Sequence, residues 1–306
     1  MSSMLSLKGK NAVITGAAGA IGTQTAISFA EAGASTILLS DVSSDALARL
    51  EKLLASKPSC SSTRFLTQVC DVSNEEQVAA LLGQLDEHGG IDIMVNNAGV
   101  FPTDLDGDAV TVTPRAWDLT YRINVLGTWL GCKHAVLSMR RARKSSGSII
   151  NLSSVAGLIG SATSQLAYTA SKGAVIAMTR ELGIVHAREG FRFNALCPGP
   201  LDSPMLQDFL DAEDDDSKGS SASVPATAKG QTARRVRREV HLPQGRWGTP
   251  LEVAGAAVFL ASDASSFVNA TELVVDGGLT KAFVTPEGAP HHSVLSRSGL
   301  GTRSSL

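Results

Sequence analysis

An α/β fold, with a doubly wound and mainly parallel sheet of about seven strands flanked by helices, is predicted by two observations. Short runs of apolar and β-branched residues alternate with longer amphipathic stretches along the 306 residues, the order that pairs strands in parallel through helical crossovers. The short runs carry few polar residues, which marks strands covered on both faces. Right-handed crossovers then gather ligand-binding residues at the carboxyl ends of the strands, near the point where strand order reverses.

The first strand is read at Asn11–Thr15, and Thr15-Gly16-Ala17-Ala18-Gly19-Ala20-Ile21-Gly22 turns from it into a helix running to about Ala32. Glycines permit a tight turn and a close approach of backbone to a pyrophosphate, whose charge then meets the helix N-terminus. Gly16, Ile21 and Gly22 are the binding candidates there. Thr36–Leu39 is the second strand, with Asp41 just beyond it. A carboxylate at that point accepts hydrogen bonds from an adenosine ribose and repels a 2′-phosphate, and Ala17 and Ala18 supply no compensating cation. The expected cofactor is NAD, with NADP as the alternative. Asp41 also suits the N-cap of the following helix, a role Ser43 or Ser44 fills equally well. Turn and carboxylate together describe a Rossmann-type dinucleotide site.

Phe65–Val69 and Ile91–Asn96 supply the third and fourth strands, and helices are expected over 114–141 and 165–188. Ser148–Ser153, Phe191–Pro198 and Leu273–Asp276 complete the sheet. Pro198-Gly199 ends a strand and opens a turn. Residues 1–283 are read as one domain. Between Ser203 and Gly245 an acidic stretch (Asp211 to Asp216), a Ser/Ala/Gly-rich stretch and a basic one (Arg234 to Arg238) mark an insertion over 204–245, read as a solvated connection or as a lid. From Thr285 onward Pro, Gly, Ser and His dominate without periodicity, so 284–306 reads as a disordered tail.

Composition narrows the partners. A net charge of −2 creates no field that recruits nucleic acid or an anionic membrane. No run reaches the roughly 18 apolar residues that span a bilayer, and the first ten residues lack a signal-peptide pattern. A soluble cytoplasmic protein with a small-molecule partner is expected. The terminal Arg-Ser-Ser-Leu resembles a peroxisomal Ser-Lys-Leu signal only loosely. Cys60, Cys70, Cys132 and Cys197 are scattered without a C-x-x-C pair, and no His-rich cluster offers ligand spacing, so reduced thiols and no metal are expected.

Tyr168 and Lys172 stand at i and i+4 in Tyr-Thr-Ala-Ser-Lys, downstream of Ser154. On a helix they project from one face about a turn apart, so the ammonium can sit beside the phenol and favour phenolate. A tyrosine with pKa near 10 is a poor base at neutral pH; lowering it by 2 to 3 units requires roughly 3 to 4 kcal/mol of preference for the charged form. The same pair also reads as a packed ring beside a solvated amine.

With the glycine-rich turn, Asn96-Asn97-Ala98-Gly99, Asn124, Ser154, Tyr-x-x-x-Lys at 168–172 and Pro198-Gly199 in this order, residues 7–283 resemble the single-domain short-chain dehydrogenases/reductases. The resemblance implies an oxidoreductase that moves a hydride between NAD(P) and a secondary alcohol or its ketone. Tyr168 would exchange a proton with the substrate oxygen, Lys172 would lower its pKa and hold the nicotinamide ribose, and Ser154 would polarise the carbonyl. Ser153 is a rival for that last role. Asn124 would position a water joining Lys172 to solvent, or is a polar kink. Asp71 and Val72 resemble the adenine contacts, Asn97, Ala98 and Gly99 the segment behind the adenine ribose, and Leu201 with Ser203 the contact to the nicotinamide amide. A homodimer or homotetramer through the helices over 114–141 and 166–188 is implied as well.

The chain departs from that family pattern at several points. Ala20 replaces the middle glycine of the turn, the Ser154 to Tyr168 spacing is about one residue longer than usual, and the Leu206 to Pro243 connection is longer by well over ten residues. Phe267-Val268-Asn269-Ala270 replaces a segment that commonly carries glycine. Phe101, Leu158, Ile159, Met205 and Phe209 are apolar candidates for a substrate wall. The alternatives are a non-catalytic dinucleotide-binding scaffold or sensor, and an epimerase or dehydratase using the same tyrosine.

Overall fold

Unbroken apolar runs become the middle layer of a three-layer sandwich in the computed structural model, which describes residues 4–160, 164–203 and 241–282. The seven strands are β1 Asn11–Thr15, β2 Thr36–Asp41, β3 Arg64–Val69, β4 Ile93–Asn96, β5 Gly147–Leu152, β6 Phe191–Pro198 and β7 Glu272–Val275. They form one sheet in the order β3-β2-β1-β4-β5-β6-β7, and every pairing is parallel. The order reverses between β1 and β4, which leaves a crevice at their carboxyl ends. The doubly wound prediction therefore holds.

Alternate residues of each strand feed opposite cores. Ile14, Ile37, Leu39, Val95 and Ile150 pack beneath α1 (Ala20–Glu31), α2 (Ser44–Ala55) and the last helix described, α7 (Pro250–Ala261). Val13, Leu38, Met94, Ile149 and Phe193 face the other way, onto α3 (Glu75–Gly83) and α5 (Thr128–Arg141). α6 (Leu166–Val185) joins that second layer, where its Ile176 packs on Ala195 and Cys197 of β6. Burial on both faces explains why these strands read as continuous hydrophobic runs.

Strand limits shift by one or two residues from the reading above, and two shifts have a visible cause. β2 extends to Asp41 because its pairing with β3 continues as far as Val69. β4 starts at Ile93 rather than Ile91: the Asp92 carboxylate accepts from the Asn11 amide at 2.8 Å, a side-chain bond in place of a ladder bond. The expected helix over 114–141 is continuous in extent but not in kind. It comprises α4 (Pro114–Thr120), a π-helical segment Tyr121–Gly127, and α5. Thr113 caps its start by accepting from the Ala116 amide at 3.1 Å, with Pro114 at the first helical position.

Most of the 204–245 insertion, the tail 284–306, and residues Ser161 to Thr163 lie outside the described residues. Among the described residues, no helix is long and apolar enough to cross a membrane. All four cysteines are buried free thiols.

The segment Phe267 to Ala270 shows what replacing glycine does to the backbone: Ala270 sits at φ 56°, left-handed territory that costs a residue with a Cβ about 1–2 kcal/mol. Glycine there returns about 0.4–1 kcal/mol of that through the unfolded chain. Ala270→Gly is therefore expected to stabilise the protein by about 0.5–1 kcal/mol, read as a higher urea midpoint at unchanged slope.

Candidate dinucleotide and acid–base site

The turn after β1 is clasped from both neighbouring strands. The Thr15 hydroxyl accepts the amides of Asn97 and Ala98, each at 3.2 Å, and the Asn97 side-chain amide donates to the carbonyls of Thr15 and Gly16 at 3.0 and 2.8 Å. On the other side, the Ala17 amide donates to the Ser40 carbonyl at 2.9 Å. Gly16 adopts φ 60°, and a Cβ there would lie 2.8 Å from the Ala98 Cα. A Cβ on Gly22 would lie 2.4 Å from the Gly16 carbonyl oxygen. Neither position admits a side chain, so the backbone forms a bare cradle.

α1 opens from that cradle behind Gly19, with no side-chain cap and no acidic residue in its first turn. The helix's own first turn does not neutralise its positive end, which suits it to a pyrophosphate. Ala20 is simply the first helical residue; the tight contacts fall on Gly16 and Gly22. Ile21 packs against the core below the turn.

Asp41 closes the far side of the cradle. One carboxylate oxygen accepts from the Ala18 amide at 3.1 Å and the other from the Ser43 amide at 3.2 Å. The choice left open at the next helix is resolved: Ser43 is the N-cap of α2, accepting from the Ala46 amide at 3.2 Å. Asp71 is exposed beyond β3, and one of its oxygens accepts from the Ser73 amide and hydroxyl at 2.9 and 2.7 Å. Val72 is buried under the π segment, where a Cβ on Gly127 would meet its Cγ2 at 2.7 Å. Beyond β6 the Leu201 side chain turns into the core, and the Gly248 and Asp202 amides lock the turn by donating to Pro200 and Gly248 carbonyls at 3.0 and 2.9 Å. Ser203 is partly exposed at the last described residue before the insertion.

The acid–base candidates come together where β5 meets α6. The Lys172 Nζ donates to the Leu152 carbonyl at 2.9 Å, and the Ser153 hydroxyl donates back to the Lys172 carbonyl at the same distance. Ser153 is thereby buried and committed, which leaves Ser154, partly exposed and acting on the Tyr168 phenol, as the candidate hydroxyl. The Lys172 ammonium lies 5.6 Å from the Tyr168 ring centroid, over the ring. Phe101 packs on that ring with centroids 4.6 Å apart.

Asn124 occupies the middle of the π segment and is 1% exposed. Its side chain accepts from the Val100 amide at 2.8 Å and donates to the Val100 carbonyl at 3.0 Å, as well as to the Ser171 hydroxyl at 3.0 Å. A π turn departs from regular helix geometry, so the polar-kink reading of Asn124 describes what its backbone does. A Cβ on Gly99 would crowd Asn124 Oδ1 at 3.3 Å and Lys172 Nζ at 3.5 Å.

One expectation is corrected. The lowering expected of Lys172 together with an oxidised nicotinamide ring is not a property of the protein alone: burial pushes the Tyr168 phenol above its usual 10, and the Ser154 hydrogen bond offsets only part of that. The Lys172 ammonium is itself buried, which pushes it down to about 8, and it is held over the ring face. Near neutral pH the site offers a protonated phenol beside a serine hydroxyl, two donors for one oxygen.

Residues 16–280 match a family model described as Enoyl-(Acyl carrier protein) reductase. Among curated proteins, the chain is 35% identical over 275 residues to Oxidoreductase UcpA of Escherichia coli (strain K12), covering 90% of this chain and 95% of that protein. It is 36% identical over 272 residues to cis-4-hydroxycyclohexanecarboxylate dehydrogenase of Sinomonas cyclohexanicum, covering 88% and 96%. The crystal structure of levodione reductase superposes with a TM-score of 0.79 at 31% identity, covering 90% of this chain and all of that one (100%).

Lys172 provides a test of the site's electrostatics. With a folded pKa near 8 against an ordinary value near 10.4, the unfolded chain binds the extra proton between those values, so stability rises with pH across that window. From pH 7 to pH 10 the wild type is expected to gain about 2 kcal/mol relative to Lys172→Met, measured as paired denaturant curves at each pH.

Proposed function

The chain belongs to the short-chain dehydrogenase/reductase family, and on that footing we propose that it interconverts a secondary alcohol and its ketone with NAD. The observation that carries this reading is the junction of β5 and α6, where Ser154, Tyr168 and Lys172 meet over a dinucleotide cradle. Gly16 and Gly22 approach the pyrophosphate, Asp41 takes the adenosine ribose, and Asp71, Val72 and Asn97 to Gly99 flank the adenosine half. Leu201 contributes main chain and Ser203 its hydroxyl toward the nicotinamide half. When bound, the dinucleotide accepts or supplies the hydride, and in its oxidised form it adds a positive charge.

The protein's own contribution is to the oxygen. Ser154 donates a hydrogen bond to the substrate carbonyl, and Tyr168 delivers its proton to the same oxygen or removes it in the reverse direction. Lys172 anchors the ribose, and its charge opposes the cost of a phenolate only together with that of the oxidised nicotinamide ring. Because burial holds the phenol protonated, carbonyl reduction is favoured near neutral pH and alcohol oxidation gains as pH rises. Phe101 stacked on Tyr168 gives the site an apolar aromatic wall, which suits a ring-bearing substrate and agrees with the ring acid named for one relative. The exposed Trp129 and Leu137 on α5 support pairing of two copies across that helix.

Tyr168→Phe tests the assignment. On a panel of cyclic ketones and cyclohexanols that includes levodione and cis-4-hydroxycyclohexanecarboxylate, turnover is expected to fall at least about 100-fold, while NADH affinity stays within about twofold. Near-normal turnover contradicts the proton role. In the same titrations NADH binds more tightly than NADPH, and Asp41→Ser narrows the gap.

A further inference from the structure

The first turn of α6 carries Tyr168, and Gln165, at the N-cap position, makes no side-chain cap bond. The missing acceptors come from the loop after β4. One oxygen of Asp106 accepts from the Ala167 amide and the other from the Tyr168 amide, each at 2.9 Å. The Gly107 carbonyl accepts from the Leu166 amide at the same distance. All three amides at the start of the helix are thus held by two adjacent residues some 60 positions earlier in the chain. Asp106 is itself braced, since its first oxygen also accepts from the Gly107 amide at 2.8 Å. The same loop supplies Phe101, whose ring lies on that of Tyr168.

We infer that Asp106 is a positioning residue for Tyr168, a cap supplied from a distant loop that fixes the backbone from which the phenol reaches toward Ser154; this rests on the reading of Tyr168 as the acid/base. A carboxylate suits the task because charge-assisted bonds to amides at a helix N-terminus are strong and agree with the helix field. Removing it leaves two amides at a partly buried helix end without their acceptors. Tyr168, third in the helix, then loses the backbone constraint that Phe101 alone cannot replace. The cradle at Gly16 and the Asp41 carboxylate lie on β1 and β2 and share no contact with this cap.

The chain has only two tyrosines, Tyr121 and Tyr168, so tyrosine labelled with 13C at the ζ carbon alone gives two NMR signals, assigned with Tyr121→Phe. Asp106→Ala is expected to shift and broaden the Tyr168 signal, leave the Tyr121 signal in place, and keep NADH affinity within about twofold. Asp106→Asn, which keeps one acceptor oxygen and loses the other, is expected to shift the Tyr168 signal measurably but less than Asp106→Ala does. On any panel compound that turns over, Asp106→Ala lowers kcat about tenfold or more with little change in KM. An unmoved Tyr168 signal overturns the inference, and so does a change of both tyrosine signals together with lost NADH binding. Should Asp106→Ala fail to fold, the Asp106→Asn spectrum decides, an unchanged Tyr168 signal counting against the cap. Tyr168→Phe with full turnover would instead remove the acid/base reading while leaving the NMR result standing.

Discussion

Two hydrogen bonds exchanged between the end of β5 and the first turns of α6 set the geometry on which the site depends. Lys172 gives its ammonium proton to Leu152 and receives at its own carbonyl the hydroxyl proton of Ser153. The exchange holds strand end and helix together with such little space that a Cβ on Gly157 would meet Lys172 backbone at 2.8 Å. Ser154 is the next residue along the chain beyond Ser153, and Tyr168 lies one turn before Lys172 on α6. Their contact therefore follows from the backbone, and neither side chain has to search for the other.

That junction also decides the electrostatics. A lysine held 6% exposed against a carbonyl keeps a weakened hold on its proton, and a phenol packed under Phe101 resists ionising. The desolvation that makes each hydrogen bond count more also raises the cost of the charged forms. The balance leaves the proton on Tyr168, ready to be given to an oxygen. Asn124 joins the same unit from the π segment through Ser171, so β4, the long helix, β5 and α6 all contribute to one small volume.

The sheet was legible because both its faces are buried, which removes polar interruptions from β1, β2 and β6 and leaves the turn residues conspicuous behind them. Gly16, Gly22 and Asp41 were legible for a related reason: a close backbone approach and a lone carboxylate leave a residue-type signature at a fixed distance. What depends on contacts distant in sequence was not. Ser153 and Ser154 are indistinguishable until the Lys172 carbonyl claims one of them. The π turn is set by the bonds of Asn124 to Val100, and Asp106 means nothing until the fold brings it to the start of α6. Ser164, just before the expected helix start at Gln165, even offers a local cap that hides the distant one. The direction of the Tyr168 shift was missed because spacing reveals a neighbouring charge but not the burial that outweighs it.

The central claim is that the site moves a hydride to carbon while its own residues supply the proton to oxygen. NADH carrying deuterium at both C4 positions, incubated in ordinary water with the protein and a cyclic ketone such as levodione, tests it by NMR of the alcohol product. The account predicts deuterium on the carbinol carbon and a solvent-derived hydrogen on the oxygen. Alcohol formed with the label absent from that carbon would contradict it.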